Sequence, residues 1–250
     1  MRSTVLLFGA LLFLPACAGE SDEMLPVSST AGGKTTNAQS SVDAARRSNG
    51  FVRFVQAIPG VLNVDVYAND MRIFSNAAFG SVTAFRELPD ASYTFRIRGA
   101  GDDMAVPMAL GERGVDSGRH YTVVTIRKPG TVKADLVVFA DDLVPPKAGM
   151  ASLRLINVAP DAGELDLFTP GAEKPLFSGI DFEKATAYAE ITAMVGQLAV
   201  HREDEKSALL EVPSTSFDSG KVYTVIVLGG TRDAPNATRA LVVEDRFGTP

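Results

Sequence analysis

The sequence predicts an all-β protein: two tandem immunoglobulin-like, antiparallel β-sandwich domains that follow a signal peptide and a flexible tether. Three observations carry this. Past Phe51 the chain is made of short runs rich in Val, Ile, Phe, Tyr and Thr, punctuated by Gly, Pro, Asp and Asn, with no helical period. The phrase DSGRHYTVV from Asp116 returns as DSGKVYTVI from Asp218, 102 residues later, which is the size of a small domain. The composition, 46% hydrophobic and 22% charged over 250 residues, allows a real core in one or two domains.

In chain order the first element is MRSTVLLFGALLFLPAC, with Arg2 ahead of an apolar run from Val5 to Leu14. Ten such residues rise about 15 Å as a helix, half the hydrocarbon thickness, so the segment targets the chain and does not span a membrane. Leu14, Ala16 and Cys17 resemble the bacterial lipoprotein signal, with Pro15 at its permissive position. That resemblance implies removal of residues 1–16, a diacylglycerol on the Cys17 sulfur, and anchorage in the bacterial cell envelope. Ala18 is not the aspartate that retains lipoproteins at the inner membrane under the enterobacterial rule, so the expected site is the outer membrane. An ordinary secretory signal cleaved nearby is the alternative.

Residues 17–50 are small and polar without periodicity, and they read as the tether. Such a coil of about 33 residues spans about 30 Å, enough to hold a domain off a lipid surface. STAGGKTT within it looks like a phosphate loop, but Ser28 stands where the first glycine is needed and no strand or helix flanks it.

Two sandwich repeats follow, at 51–145 and 150–250. VRFVQAIPGVLNVDVY from Val52 matches LRLINVAPDAGELDLF from Leu153 at an offset of 101 residues. IFSNAAFGSVTAF from Ile73 matches LFSGIDFEKATAY from Leu176 at 103, and DLVVF from Asp135 matches ALVVE from Ala240 at 105. LVPPKAGM from Leu143 is a short, stiff junction. Within each repeat Asp-Ser-Gly supplies a tight turn before a strand that begins at Tyr121 or Tyr223. The arrangement resembles the tyrosine corner of immunoglobulin-like sandwiches, with the Tyr one residue later and Val123 or Val225 in place of the disulfide cysteine.

LRLINVAPDAGELDLF, the repeat and the signal together resemble the bacterial domain-of-unknown-function family 4397. Arg154, Asn157, Pro160, Asp166 and Phe168 match its pattern in the second repeat, and Arg53, Pro59, Asp65 and Tyr67 in the first, where Gln56 replaces the Asn. The resemblance covers residues 51–250 and implies an extracytoplasmic β-sandwich without an assigned activity.

Arg53 with Asp65 and Arg154 with Asp166 interrupt apolar neighbours at matching places, which predicts either cross-strand ion pairs or one wall of a polar ligand patch. Catalytic and cofactor constellations are not visible. The two histidines, His120 and His201, fall at non-equivalent positions and lack the company a metal site needs. No nucleophile elbow or calcium loop occurs, and the one cysteine is assigned to lipid attachment. Carboxylates cluster at Gly101, Ala140 and Pro160, as surface hairpins in an acidic chain would place them. A net charge of −6 argues against nucleic acid as a partner. The expectation is a non-enzymatic binding or adhesion role with a glycan or envelope-protein ligand, no cofactor, and the membrane as partner through the Cys17 lipid. An envelope-polysaccharide hydrolase and a structural spacer are the alternatives.

Overall fold

Strand begins at Asn49, two residues inside the segment assigned to the tether. The computed structural model describes residues 48–230 and 238–246; the signal, Cys17 and most of the tether lie outside the described residues. The early start has a steric cause. A Cβ on Gly50 would stand 2.5 Å from both the Asp116 carbonyl and Val115 Cγ1, so the first strand and the recurring turn approach each other through a glycine.

The first half contains β1 (Asn49–Gln56), β2 (Val64–Ala68), β3 (Met71–Ala77), β4 (Arg86–Pro89), β5 (Ala91–Gly99), β6 (Ala109–Val115), β7 (His120–Arg127) and β8 (Ala134–Asp141). The second contains β9 (Met150–Val158), β10 (Leu165–Phe168), β11 (Phe177–Ile180), β12 (Lys184–Ala185), β13 (Ala189–Thr192), β14 (Met194–Gly196), β15 (Ala199–Arg202), β16 (Ala208–Glu211), β17 (Thr215–Phe217), β18 (Val222–Leu228) and β19 (Arg239–Asp245). No helix occurs among the described residues.

Each half is a sandwich. Sheet β4-β1-β7-β8 faces sheet β3-β2-β5-β6 across a core that includes Phe54, Val66, Phe95, Ile97 and Val123. Sheet β12-β9-β18-β19, with β13 also on β9, faces β11-β10-β15-β16 across Leu155, Leu167, Val200, Phe217 and Val225. The strands pair antiparallel as expected except at one place in each half: β1 runs parallel to β7, and β9 parallel to β18. The chain leaves β1, builds the opposite sheet, and returns beside β1 in the same direction, which only a long crossover permits.

The recurring turn behaves as its residues require. Gly118 and Gly220 sit at φ of +73° and +82°. The Asp116 N–H donates to Tyr121 Oη at 3.2 Å, and the Asp218 N–H donates to Tyr223 Oη at 3.0 Å. The phrase recurs because each half needs the same tied corner before its central strand.

A third core joins the halves. Val55, Val124, Ile126 and Phe139 of the first pack with Ile156, Val158, Ile226 and Leu228 of the second. The four main sheets are therefore stacked, and β1, β7, β9 and β18 are covered on both faces. Register also corrects the match of the last strands: Val123 opposes Val138 and Val225 opposes Val242, so β8 and β19 correspond at 104 residues rather than 105. A one-residue slip exchanges inward and outward side chains, and it had hidden the equivalence of Asp141 and Asp245.

Candidate functional site

Arg53 alternates with inward-facing Val52 and Phe54, so its side chain leaves the first sandwich on the face that meets the second. Asp65 alternates with inward-facing Val64 and Val66 on the opposite sheet, so it leaves on the far face. The predicted Arg53–Asp65 and Arg154–Asp166 pairs therefore do not form, because β1 and β2 belong to different sheets of one sandwich. Nor do the four make an exposed patch: all are buried.

What forms between the halves is an exchange of partners. Arg53 Nη1 donates to Asp245 Oδ1 at 2.5 Å, and Arg154 Nη2 donates to Asp141 Oδ1, so each arginine is paired across the junction. Each Nε donates to a threonine of its own half, Thr122 at 2.8 Å and Thr224 at 2.9 Å. Those threonines donate to Asp141 and Asp245 at 2.6 Å. Phe85 and Tyr188 cover the guanidinium planes at 4.8 and 4.7 Å from ring centroids. Two cations and two carboxylates thus form a buried cluster of zero net charge. Burial opposes the charge of Arg154, but Asp141 beside it prevails and raises its pKa; burial likewise raises the Tyr188 phenol. The equivalence is imperfect. Tyr188 donates to Asp245 Oδ2 at 2.8 Å, whereas Phe85 has no hydroxyl, and Arg53 Nη2 has no hydrogen-bond partner.

Asp65 and Asp166 hold the backbone. Asp65 Oδ1 accepts the N–H of Asn76, at φ +56°, and Asp166 Oδ1 accepts the N–H of Gly179, at φ +64°, both at 2.8 Å. Each carboxylate fixes a left-handed residue on the neighbouring strand. Burial pushes Asp65 upward, but the N–H groups of Asn76 and Gly101 and the Arg72 guanidinium outweigh it and leave its pKa lowered.

His120 stacks on Phe51 at 4.4 Å and meets the edge of Phe85 at 4.9 Å. Its burial lowers its pKa, Asp141 opposes this, and Arg53 adds to it. His201 lies in the other half, against Phe168 at 4.6 Å. No group of three or more His, Cys, Asp or Glu suited to a metal occurs among the described residues.

A further concave feature among the described residues lies at the free end of the first sandwich, where the loops 57–63, 100–108 and 128–133 leave β1, β5 and β7. Leu62, Met104, Val106 and Val132 stand there 86, 90, 86 and 83% exposed. Val132 also borders a cleft of about 250 Å³ that Ile58, Val61 and Met108 line with it, and whose polar lining is Gln56, Thr125, Arg127 and Lys133. Gln56 does for its turn what Asn157 does in the second half: its Oε1 accepts the Ile58 N–H at 3.0 Å, as Asn157 Oδ1 accepts the Ala159 N–H at 3.1 Å. The other end of the amide differs. Asn157 Nδ2 donates to the carbonyls of Gly163 and Ile180, while buried Gln56 Nε2 has no partner, and neither has Arg127 Nε in the same cleft. Sequence reasoning missed this end; the signal was the unusual spacing of apolar residues inside turn segments.

Residues 50–168 match the family described as a domain of unknown function (DUF4397), a span covering the first sandwich, the junction, β9 and β10. No curated protein matches the chain. The chain is similar to the solved structure of the Bacillus anthracis TIE protein at 12% identity and a TM-score of 0.24, over 72% of this chain and 34% of that one. It therefore spans about a third of that protein's length.

Proposed function

We propose that the chain is a lipoprotein of the bacterial cell envelope, anchored through Cys17 in the outer membrane, whose role is to bind a partner protein without catalysis. The second half is read as a second copy of the same domain, since the order and pairing of its central strands repeat those of the first. The observation that carries the binding role is the loop end: four large apolar side chains, each more than 80% exposed, on three adjacent loops. A soluble surface seldom gathers such residues unless something covers them. Their chemistry favours a protein over a glycan, because the buried centre of a protein interface is more apolar than the rest of a protein surface.

The hydrolase alternative needs two carboxyls facing each other across a cleft. Asp141 and Asp245 are each held by a buried arginine. Glu164 and Glu203 share a hydrogen bond that raises the Glu203 pKa, and both are exposed on loops. The spacer alternative leaves the apolar loop end without a role.

The test is photo-crosslinking in intact cells from a probe at position 104, followed by mass spectrometry. A single envelope protein captured by the native loops and lost with Leu62→Ser/Val106→Ser supports the reading. Capture of nothing beyond the no-light control overturns it. Palmitate labelling that persists in Cys17→Ser overturns the anchor.

A further inference from the structure

We propose that the cleft at the loop end is a carboxylate-reading subsite, taking an apolar group that carries a carboxylate, either the C-terminal residue of a protein or a small free acid. The inference deepens the binding role and rests on it. Gln56, Thr125 and Arg127 share one face of adjacent parallel strands, since Gln56 is in register with Thr125 and Arg127 follows two residues on. That face is the interior of the sandwich, to which the same two strands also give Val52, Phe54, Tyr121 and Val123, so three polar side chains close the end of an apolar core.

The second half shows that the fold does not require them. The residues equivalent by strand register are Asn157, Val227 and Gly229. Asn157 spends both amide protons on backbone carbonyls, and the other two have no polar side chain. In the first half, by contrast, two donors are left without acceptors inside one cleft: Gln56 Nε2, on a residue 1% exposed, and Arg127 Nε. The amide cannot be turned to relieve this, because Gln56 Oε1 already accepts from Ile58 N–H and from Thr125 Oγ1. Buried donors are ordinarily satisfied, and leaving them bare is costly. An incoming carboxylate has two oxygens, acceptors only, and a charge opposite to Arg127 and Lys133, so it answers both donors at once. Val61, Val64, Ile97, Met108 and Val132 supply apolar walls for the group behind it.

The experiment uses the full chain in nanodiscs and saturation-transfer NMR with N-acetyl-leucine, its neutral amide, and isovalerate. Saturable binding of N-acetyl-leucine at millimolar concentration, at least tenfold weaker for the amide, is the expected result. Gln56→Asn, which copies Asn157, and Arg127→Gln should each weaken it about tenfold with unchanged melting temperature. Isovalerate binding as well as N-acetyl-leucine points to a free acid, and a clear preference for N-acetyl-leucine points to a chain terminus. Equal binding of acid and amide, no saturable binding, or undiminished binding by Gln56→Asn overturns the subsite. If partner capture by the loops persists in that event, the subsite alone has failed; if both are lost, the binding role has failed.

Discussion

Asp141→Asn removes one charge from the buried cluster while keeping the shape of the side chain. Asp141 is fully buried and meets Arg154 Nη2 through Oδ1, while Oδ2 lies 2.6 Å from Thr122 Oγ1 and 3.7 Å from Arg53 Nη2. Two arginines then face only Asp245, and the cluster carries one uncompensated positive charge. At a separation of about 4 Å and an effective dielectric of about 20, the lost attraction is about 4 kcal/mol. Breaking a buried pair from one side typically costs about 3–5 kcal/mol, in agreement. For a chain of this size that lowers the melting temperature by roughly 10 °C. Circular dichroism against urea and temperature reads the loss, because the protein contains no tryptophan. Arg154→Met/Asp141→Leu restores neutrality with apolar groups and should recover most of the stability. A cost below about 1 kcal/mol for Asp141→Asn, or a double variant no better than the single, refutes the view that paired charge across the junction matters here. Since the cluster draws on both halves, wild-type protein should unfold in one transition, and two separate transitions would refute the shared core.

Two further outcomes follow from the geometry. His120 is kept neutral by burial, so its folded pKa lies below the ordinary 6.5. Above 6.5 it adds nothing, and as pH falls through 6.5 the unfolded chain binds the proton first, so stability declines until the folded group protonates as well. His120→Phe, which keeps a ring on Phe51, should flatten the stability difference between pH 7.5 and 5.5; a folded His120 titrating at or above 6.5 by NMR would contradict this. Tyr121→Phe should cost more than Tyr223→Phe, about 1–3 against about 0.5–1.5 kcal/mol, because Tyr121 also donates to Asp116 Oδ2 at 2.8 Å whereas Tyr223 only accepts from Asp218 N–H at 3.0 Å. Equal costs in urea unfolding would count against the corner's asymmetry.

Local rules settled much of this molecule from the sequence. Alternation and punctuation placed the strands, and Asp-Ser-Gly followed by Tyr foretold a turn tied by a hydroxyl, because turn, glycine and ring lie within a few residues of one another. Repetition led to the expectation of two sandwiches, and the central strands of the two halves pair in the same order. Arg53 and Asp65 show where that reasoning stops. A polar residue among apolar neighbours says that it leaves its own core, and the sequence carries no record of which sheet it stands on or what lies beyond. The runs HYTVVTIR and VYTVIVL are buried almost throughout, and nothing in them says that each sandwich covers the other. Only tertiary structure decided that Arg53 meets Asp245, 192 residues away, and that Gln56 and Arg127 share a cleft. Both depend on long-range packing of sheets, whose energy is spread over surfaces that no short stretch of sequence describes.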